Sequence, residues 1–207
     1  MNQNFDEIIS RRNTHSIKWN TSPDILPMWI ADMDFKTAPK IIEALQNRVA
    51  HGIFGYTETP DEFYNSIIKW WKNKHGLSLE KEWIVPITGV IPALSAAMLS
   101  LAEKGDTVLI QPPVYNHFYS TITNCGFEIA ENNLIYNNGI YTIDFEDLER
   151  KAADPKAKLL IISNPHNPVG RVWTKEELLH IALICKKHHV IVLSDEIHSD
   201  LVFFFPS

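Results

Sequence analysis

Short apolar runs alternate with helical patterns over most of the chain, and that alternation organises the reading. "WIVPIT" at 83–88 leads into the helical pattern of 89–105. "TVLIQ" at 107–111 leads into 112–126, and "KLLIIS" at 158–163 precedes a long helical stretch that feeds "VIVLS" at 190–194. The runs Leu159 to Ser163 and Val190 to Ser194 are apolar at nearly every position, the pattern of strands covered on both faces. Strands alternating with helices of this length predict βαβ units and a parallel α/β sheet. Thr174-Lys175-Glu176-Glu177 has capping-box form and marks where one helix starts.

Upstream the pattern differs. Residues 17–39, "IKWNTSPDILPMWIADMDFKTAP", are irregular and rich in Trp, Met, Pro and Asp, which suits an arm packed against something else. A helix is expected from Pro39, with proline in the first turn and Gly52 at the stop. A second is expected over "DEFYNSIIKWWKNKHG", where acids open the helix, lysines lie near its end and Gly76 caps it. The expected organisation is an arm over 1–38, forming part of a small domain, and a large domain over 39–207.

The 207 residues are 45% hydrophobic and 21% charged, a globular composition with ample material for a core. A net charge of −6, with no stripe of Lys or Arg, argues against nucleic acid or an anionic membrane as partner. The N-terminus lacks the apolar segment of a signal peptide and no run approaches membrane-spanning length, so a cytoplasmic protein is expected. Cys125 and Cys185 have no metal-ligand spacing and are expected to be small buried residues. No metal site is indicated. Lys186 and Lys187 read as a solvated charge pair at a helix C-terminus.

Ligands of open α/β sheets bind beyond the carboxyl ends of the strands. That rule selects "TGVIP" after Ile87, "PPVYNH" after Gln111, "NPHNPVG" after Ser163 and "DEIH" after Ser194, expected to converge on one rim. Singly, each has a structural reading. Gly89 suits a tight turn, "NPHNPVG" a rigid strand-to-helix connection, Tyr115 a core aromatic, and Asp195 an N-cap as readily as a ligand. Together they offer free amides at Gly89, Val90 and Ile91 for a phosphate, an aromatic face at Tyr115, an amide donor at Asn167 and a carboxylate at Asp195. A phosphate, a flat ring, a phenolate oxygen and a protonated ring nitrogen describe pyridoxal 5′-phosphate.

"NPHNPVG" and "SDEIHSDL", with "WIADMDF" and "GIFGYT" upstream, resemble the fold-type I pyridoxal-phosphate enzymes of aminotransferase class I/II. The resemblance is narrower with the bacterial cystathionine β-lyase (cysteine-S-conjugate β-lyase) branch. It implies the three-layer α/β/α large domain of that fold, incomplete here, with an N-terminal arm and without the C-terminal small domain. It implies Asp195 at the ring nitrogen, Asn167 at the phenolate oxygen with His198 beside it, Tyr115 stacked on the ring, and Gly89, Val90 and Ile91 on the phosphate. Tyr56 would reach the phosphate of a neighbouring subunit in a homodimer, and Ile30, Ala31 and Asp32 would line the substrate mouth.

The implied reaction is β-elimination from a cysteine-type amino acid, giving a thiol, pyruvate and ammonia. An aminotransferase shares the same rim, and a non-catalytic regulatory or binding remnant is a further alternative. A DExH-type ATPase, suggested by "SDEIH", is disfavoured because no GK[ST] phosphate loop occurs. The family's Schiff-base lysine lies further along than Asp195, and no lysine follows Asp195 in this sequence, so no catalytic residue is assigned. The family's later strands insert between the Val190 and Ile84 strands. The chain alone is therefore expected to expose two strand edges, to be poorly stable and to lack the covalent anchor.

Overall fold

The computed structural model describes residues 4–203. The chain divides into two compact units, Met1–Ser78 and Leu79–Ser207.

In the first unit, two helices form where the capping residues put them. Helix α1 (Pro39–His51) has proline in its first turn and ends on Gly52 in the left-handed region, at φ 73°. Helix α2 (Asp61–His75) carries Asp61 and Glu62 in its first turn, Lys72, Lys74 and His75 in its last, and Gly76 at φ 68° after it. Glycine reaches these dihedrals without the Cβ clash that other residues suffer. No residue of either helix is buried.

The second unit is an α/β/α sandwich. Helix α3 spans Val90–Leu101, followed by strand β1 (Thr107–Ile110), helix α4 (His117–Asn124) and strand β2 (Glu128–Glu131). The hairpin β3–β4 (Ile135–Asn137, Ile140–Thr142), helix α5 (Phe145–Ala152), strand β5 (Ala157–Ser163), helix α6 (Lys175–His188) and strand β6 (Ile191–Asp195) complete it. The sheet order is β2-β1-β5-β6, every pair parallel. Strand alternation divides the core in two. Leu159 and Ile161 face α3 and α4 with Met98, Phe118 and Ile122, while Leu160 and Ile162 face α5 and α6 with Leu148, Ile181 and Ile184. Burying each such side chain contributes roughly 1.5–3 kcal/mol. The parallel α/β expectation therefore holds, and so does the continuous burial of 159–163.

Three expectations are corrected. Residues 84–88 form no strand; a short 3-10 turn over Lys81–Trp83 leads into irregular chain. A strand exists only where a neighbour completes its ladder, and among the described residues none pairs with this segment, which also carries Pro86, a residue with no N–H to donate. The second correction concerns 190–194. Strand β6 is the edge of the sheet, and Ile191 is 43% exposed, so it is not covered on both faces like β5. Third, Lys187 is not merely solvated: it pairs with Glu149, which His188 also contacts at 2.6 Å.

Strand β2, the hairpin and α5 were not anticipated. Asn138 and Gly139 both have positive φ, 48° and 87°, as a tight primed hairpin turn requires, and the Asp144 carboxylate caps α5 by accepting from the Asp147 amide at 2.9 Å. The capping box of α6 is present in full, with Thr174 and Glu177 exchanging hydrogen bonds. Cys185 is buried, and burial pushes its thiol up to about 11, leaving it an unreactive core residue; Cys125 is partly exposed. No described helix is long and apolar enough to cross a membrane.

Helices α5 and α6 are joined by charge as well as packing. Hydrogen bonds from His188 and Lys187 hold the Glu149 carboxyl below its ordinary value of 4.5. Burial works against the charge of Asp147, yet Asn132, Lys151 and Arg150 together hold it below its usual range as well. A carboxyl depressed in the folded state stabilises the fold fully above its unfolded value, and that contribution is lost as pH falls through the folded one. Glu149→Gln is accordingly expected to be less stable than the wild type near neutrality and to converge with it below about pH 3, which flattens the loss between about pH 5 and pH 3, as read from urea midpoints.

Candidate functional site

The register of β5 against β6 sets the centre of the site. Ser163 and Asp195 are paired at the carboxyl ends of the two strands, and the Asn164 amide donates to the Asp195 carbonyl at 2.9 Å. The chain then turns through 164–170. Ser163 Oγ accepts from the Asn167 amide at 3.2 Å, the Asn164 side chain accepts from the Trp173 amide at 3.0 Å, and Trp173 Nε1 donates to the Ser163 carbonyl at 3.2 Å. His166 and Arg171 form an antiparallel bridge that closes the turn.

Asp195 is 7% exposed. Its carboxylate accepts from the Ile197 amide at 3.1 Å and pairs with no cation among the described residues. A carboxylate withdrawn from water needs hydrogen bonds or an opposite charge, and one amide leaves it under-satisfied. Asp195 thus acts locally as a turn-forming acceptor while keeping capacity for a cationic ligand. The side-chain amide of Asn167 makes no hydrogen bond among the described residues. It shares a cleft of about 740 Å³ with His198, the residue that precedes the 3-10 turn Ser199–Leu201. Asp195 does not line that cleft.

Tyr115 stands beyond the end of β1, half-buried, with ring centroids 5.0 Å from His117 and 5.8 Å from the edge-packed Phe118. Gly89 precedes α3 in an extended conformation, at φ 166°. A Cβ placed there would meet only Pro92 Cδ at 3.6 Å, so no side chain of this unit fills the space beside it. The amides of Gly89, Val90 and Ile91 have no acceptor among the described residues, as the first turn of a helix leaves them. Val90, Ile91 and Tyr115 pack on the same apolar cluster. Since 84–88 is not a strand, the α3 N-terminus is placed by this packing and not by the end of a sheet strand, so only three of the four segments follow strands as expected.

Of the residues in the first unit, Tyr56 is fully exposed, Ile30 half-buried, and Ala31 and Asp32 exposed. Asp32 is ion-paired with Arg11. The residue that organises this segment is one sequence reasoning missed, Asp34. It accepts from Trp19 Nε1 at 2.7 Å, Arg11 at 2.8 Å and Lys18 at 2.9 Å, while Lys18 also donates to the Asp32 carbonyl at 2.7 Å. Lys18, then Trp19 and Arg11, hold the Asp34 carboxyl well below the usual carboxylate range. Its signal was the second acid of "ADMDF", two residues from the first. No cluster of three or more His, Cys, Asp or Glu able to hold a metal occurs among the described residues.

The Asp195 carboxylate, the free Asn167 amide and the open α3 N-terminus are the unspent polar groups at the strand and helix ends of this α/β unit. Residues 23–206 match the family model "Aminotransferase class I and II", and the chain belongs to that family. It is similar to cystathionine beta-lyase PatB of Bacillus subtilis (45% identical, over 97% of this chain and 54% of the relative). Among solved structures it is similar to cystalysin from Treponema denticola, which contains a pyridoxal 5′-phosphate cofactor (TM-score 0.90, 38% identical, 97% of this chain and 53% of that one). It is also similar to the PLP-bound C-S lyase from Staphylococcus hominis (TM-score 0.89, 36% identical, 97% and 52%). The chain spans about half the length of the relatives it matches.

If Asp34 holds the 11–34 segment together, Asp34→Ala leaves Arg11 and Lys18 with only their contacts to Asp32. Limited trypsin digestion is expected to cut at those two residues faster in the variant, with altered fluorescence from Trp19. Unchanged cleavage would show that other contacts suffice.

Proposed function

We propose that the chain supplies the cofactor-binding part of a pyridoxal-phosphate-dependent carbon–sulfur β-lyase. The single observation that carries this reading is the buried Asp195 carboxylate at the end of β6, paired with no cation among the described residues. When bound, pyridoxal 5′-phosphate supplies an electron sink for the carbanion formed at the substrate Cα. Asp195 keeps the ring nitrogen protonated by placing a negative charge against it in a setting largely shielded from water. Asn167 donates its amide to the phenolate oxygen, and His198, on the same cleft wall, stands beside it. Tyr115 offers its ring as a stacking face. Gly89, Val90 and Ile91 donate backbone amides to the phosphate, where the positive end of the α3 dipole adds to them.

From the first unit, Ile30, Ala31 and Asp32 line the substrate mouth, and Tyr56, exposed in this chain, reaches the phosphate of a second subunit in a homodimer. The substrate is an amino acid of the cystathionine or cysteine-conjugate type, cleaved to a thiol, pyruvate and ammonia in the cytoplasm, without nucleic acid or membrane as partner. The identity with PatB and with the C-S lyase from Staphylococcus hominis supports a lyase over an aminotransferase. Joining this chain to the second half of PatB and supplying cystathionine distinguishes the two. Pyruvate release is expected; amino transfer to a keto acid without pyruvate would assign the aminotransferase.

The charge at Asp195 has its own test. Asp195→Asn preserves size and the acceptor for the Ile197 amide, so a loss of affinity reports the charge. Binding of pyridoxal 5′-phosphate, followed by tryptophan fluorescence, is expected to weaken by about tenfold or more. Equal binding would remove Asp195 from the ring nitrogen.

A further inference from the structure

Among the buried polar side chains, His166 is the one whose investment the fold does not explain. It is 1% exposed, and its Nε2 lies 3.1 Å from the carbonyl of Pro113, 53 residues away in sequence. Its Nδ1 has no partner among the described residues. An apolar side chain of similar volume would fill the same space without desolvating a ring nitrogen, so the imidazole is retained for its one directional bond. Burial lowers its pKa, with the carbonyl groups of Pro113, Ser163 and Gln111 working the other way, which favours the neutral ring. A neutral imidazole facing a carbonyl must place its proton on that nitrogen, so Nε2 donates to Pro113 and Nδ1 is left a bare acceptor.

The two ends of this bond are the two loops that carry the site. Pro113 lies two residues before Tyr115, and His166 immediately precedes Asn167. The first loop runs through Pro112 and Pro113, which have no N–H, so their backbone reaches neighbouring structure through carbonyls alone. Pro112 spends its carbonyl on the Leu134 amide at 2.7 Å, and Pro113 gives its own to His166. The histidine is itself held firmly. Its amide donates to the Arg171 carbonyl at 2.7 Å, its carbonyl accepts from the Gly170 amide at 2.8 Å, and Trp173 packs edge-on against the ring with centroids 5.3 Å apart.

We propose that His166 is a positioning residue of the cofactor site, its imidazole tying the Pro112–Tyr115 loop to the Asn164–Pro168 turn so that Tyr115 and Asn167 meet one flat ligand together. This rests on the reading that those two residues hold the cofactor, and it adds a residue that acts through them.

The test uses the full chain and 4′-deoxypyridoxine 5′-phosphate, an analogue that needs no lysine. His166→Phe fills the volume without a donor, and His166→Gln keeps a side-chain N–H. The expected result is about a tenfold loss of affinity in His166→Phe, recovered largely in His166→Gln, with far-ultraviolet circular dichroism alike in all three. Undiminished binding by His166→Phe, or equal loss in both variants, would overturn the role of His166. Failure of the wild type to bind the analogue would instead overturn the cofactor reading. Where His166→Phe does not fold, the imidazole ¹⁵N spectrum of the wild type decides: a proton on Nε2 supports the tie, and one on Nδ1 sinks it.

Discussion

The pairing of β5 with β6 is the contact on which the site depends. It sets Ser163 beside Asp195, and a shift of one residue would turn the Asp195 side chain to the opposite face of the sheet. The register is strongly specified because Leu159 and Ile161 must enter one core layer while Leu160 and Ile162 enter the other. Apolar packing deep in the sheet therefore decides where a polar group stands at its rim. The hydrogen bond from the Asn164 amide to the Asp195 carbonyl extends the ladder one step beyond the strands and binds the two site segments to each other.

What was legible in the sequence follows from this division of labour. Strand β5 shows plainly because it is buried on both faces, and α1, α2 and α6 because glycine, charge and the capping box mark their ends. Residues 84–88 read as a strand by composition alone, but strand formation is decided by a neighbour, which a local pattern does not contain. The opposite error occurred at β2 and the hairpin. Glu128–Glu131 alternates too weakly to stand out, and the Asn138-Gly139 turn, a strong local signal, passed unread between short strands that leave most of their side chains exposed. The rim residues were legible as types. Their support was not, since Asp34 and His166 act through partners 15 and 53 residues away among others, and only the fold makes those neighbours.

The polar groups of the two units are held by different means. Around Asp195 and Asn167, backbone geometry does the holding, and the side chains are left with unspent hydrogen-bonding capacity. In the first unit the reverse holds: Asp32 and Asp34 are consumed by Arg11, Lys18 and Trp19, and the polar network serves to shape an irregular segment that has no helix or strand to order it. An irregular stretch pays its conformational entropy through such contacts. That is why the segment is rich in charges at fixed spacing, though only Asp32 among them was assigned a place near substrate.

A carboxylate that is 7% exposed and holds a single backbone amide is an electrostatic demand as much as a binding group. Neutral flat ligands leave that demand unmet, and anionic ones aggravate it. A ligand that is cationic at one edge and anionic at the opposite end meets it while also matching the free amides at the start of α3. The positive end of a helix dipole and a shielded carboxylate select opposite charges, so under the proposed function the polarity of the ligand is matched by two features that share no residue. Shape complementarity then needs to decide only the flat middle, the part proposed for Tyr115 and Asn167.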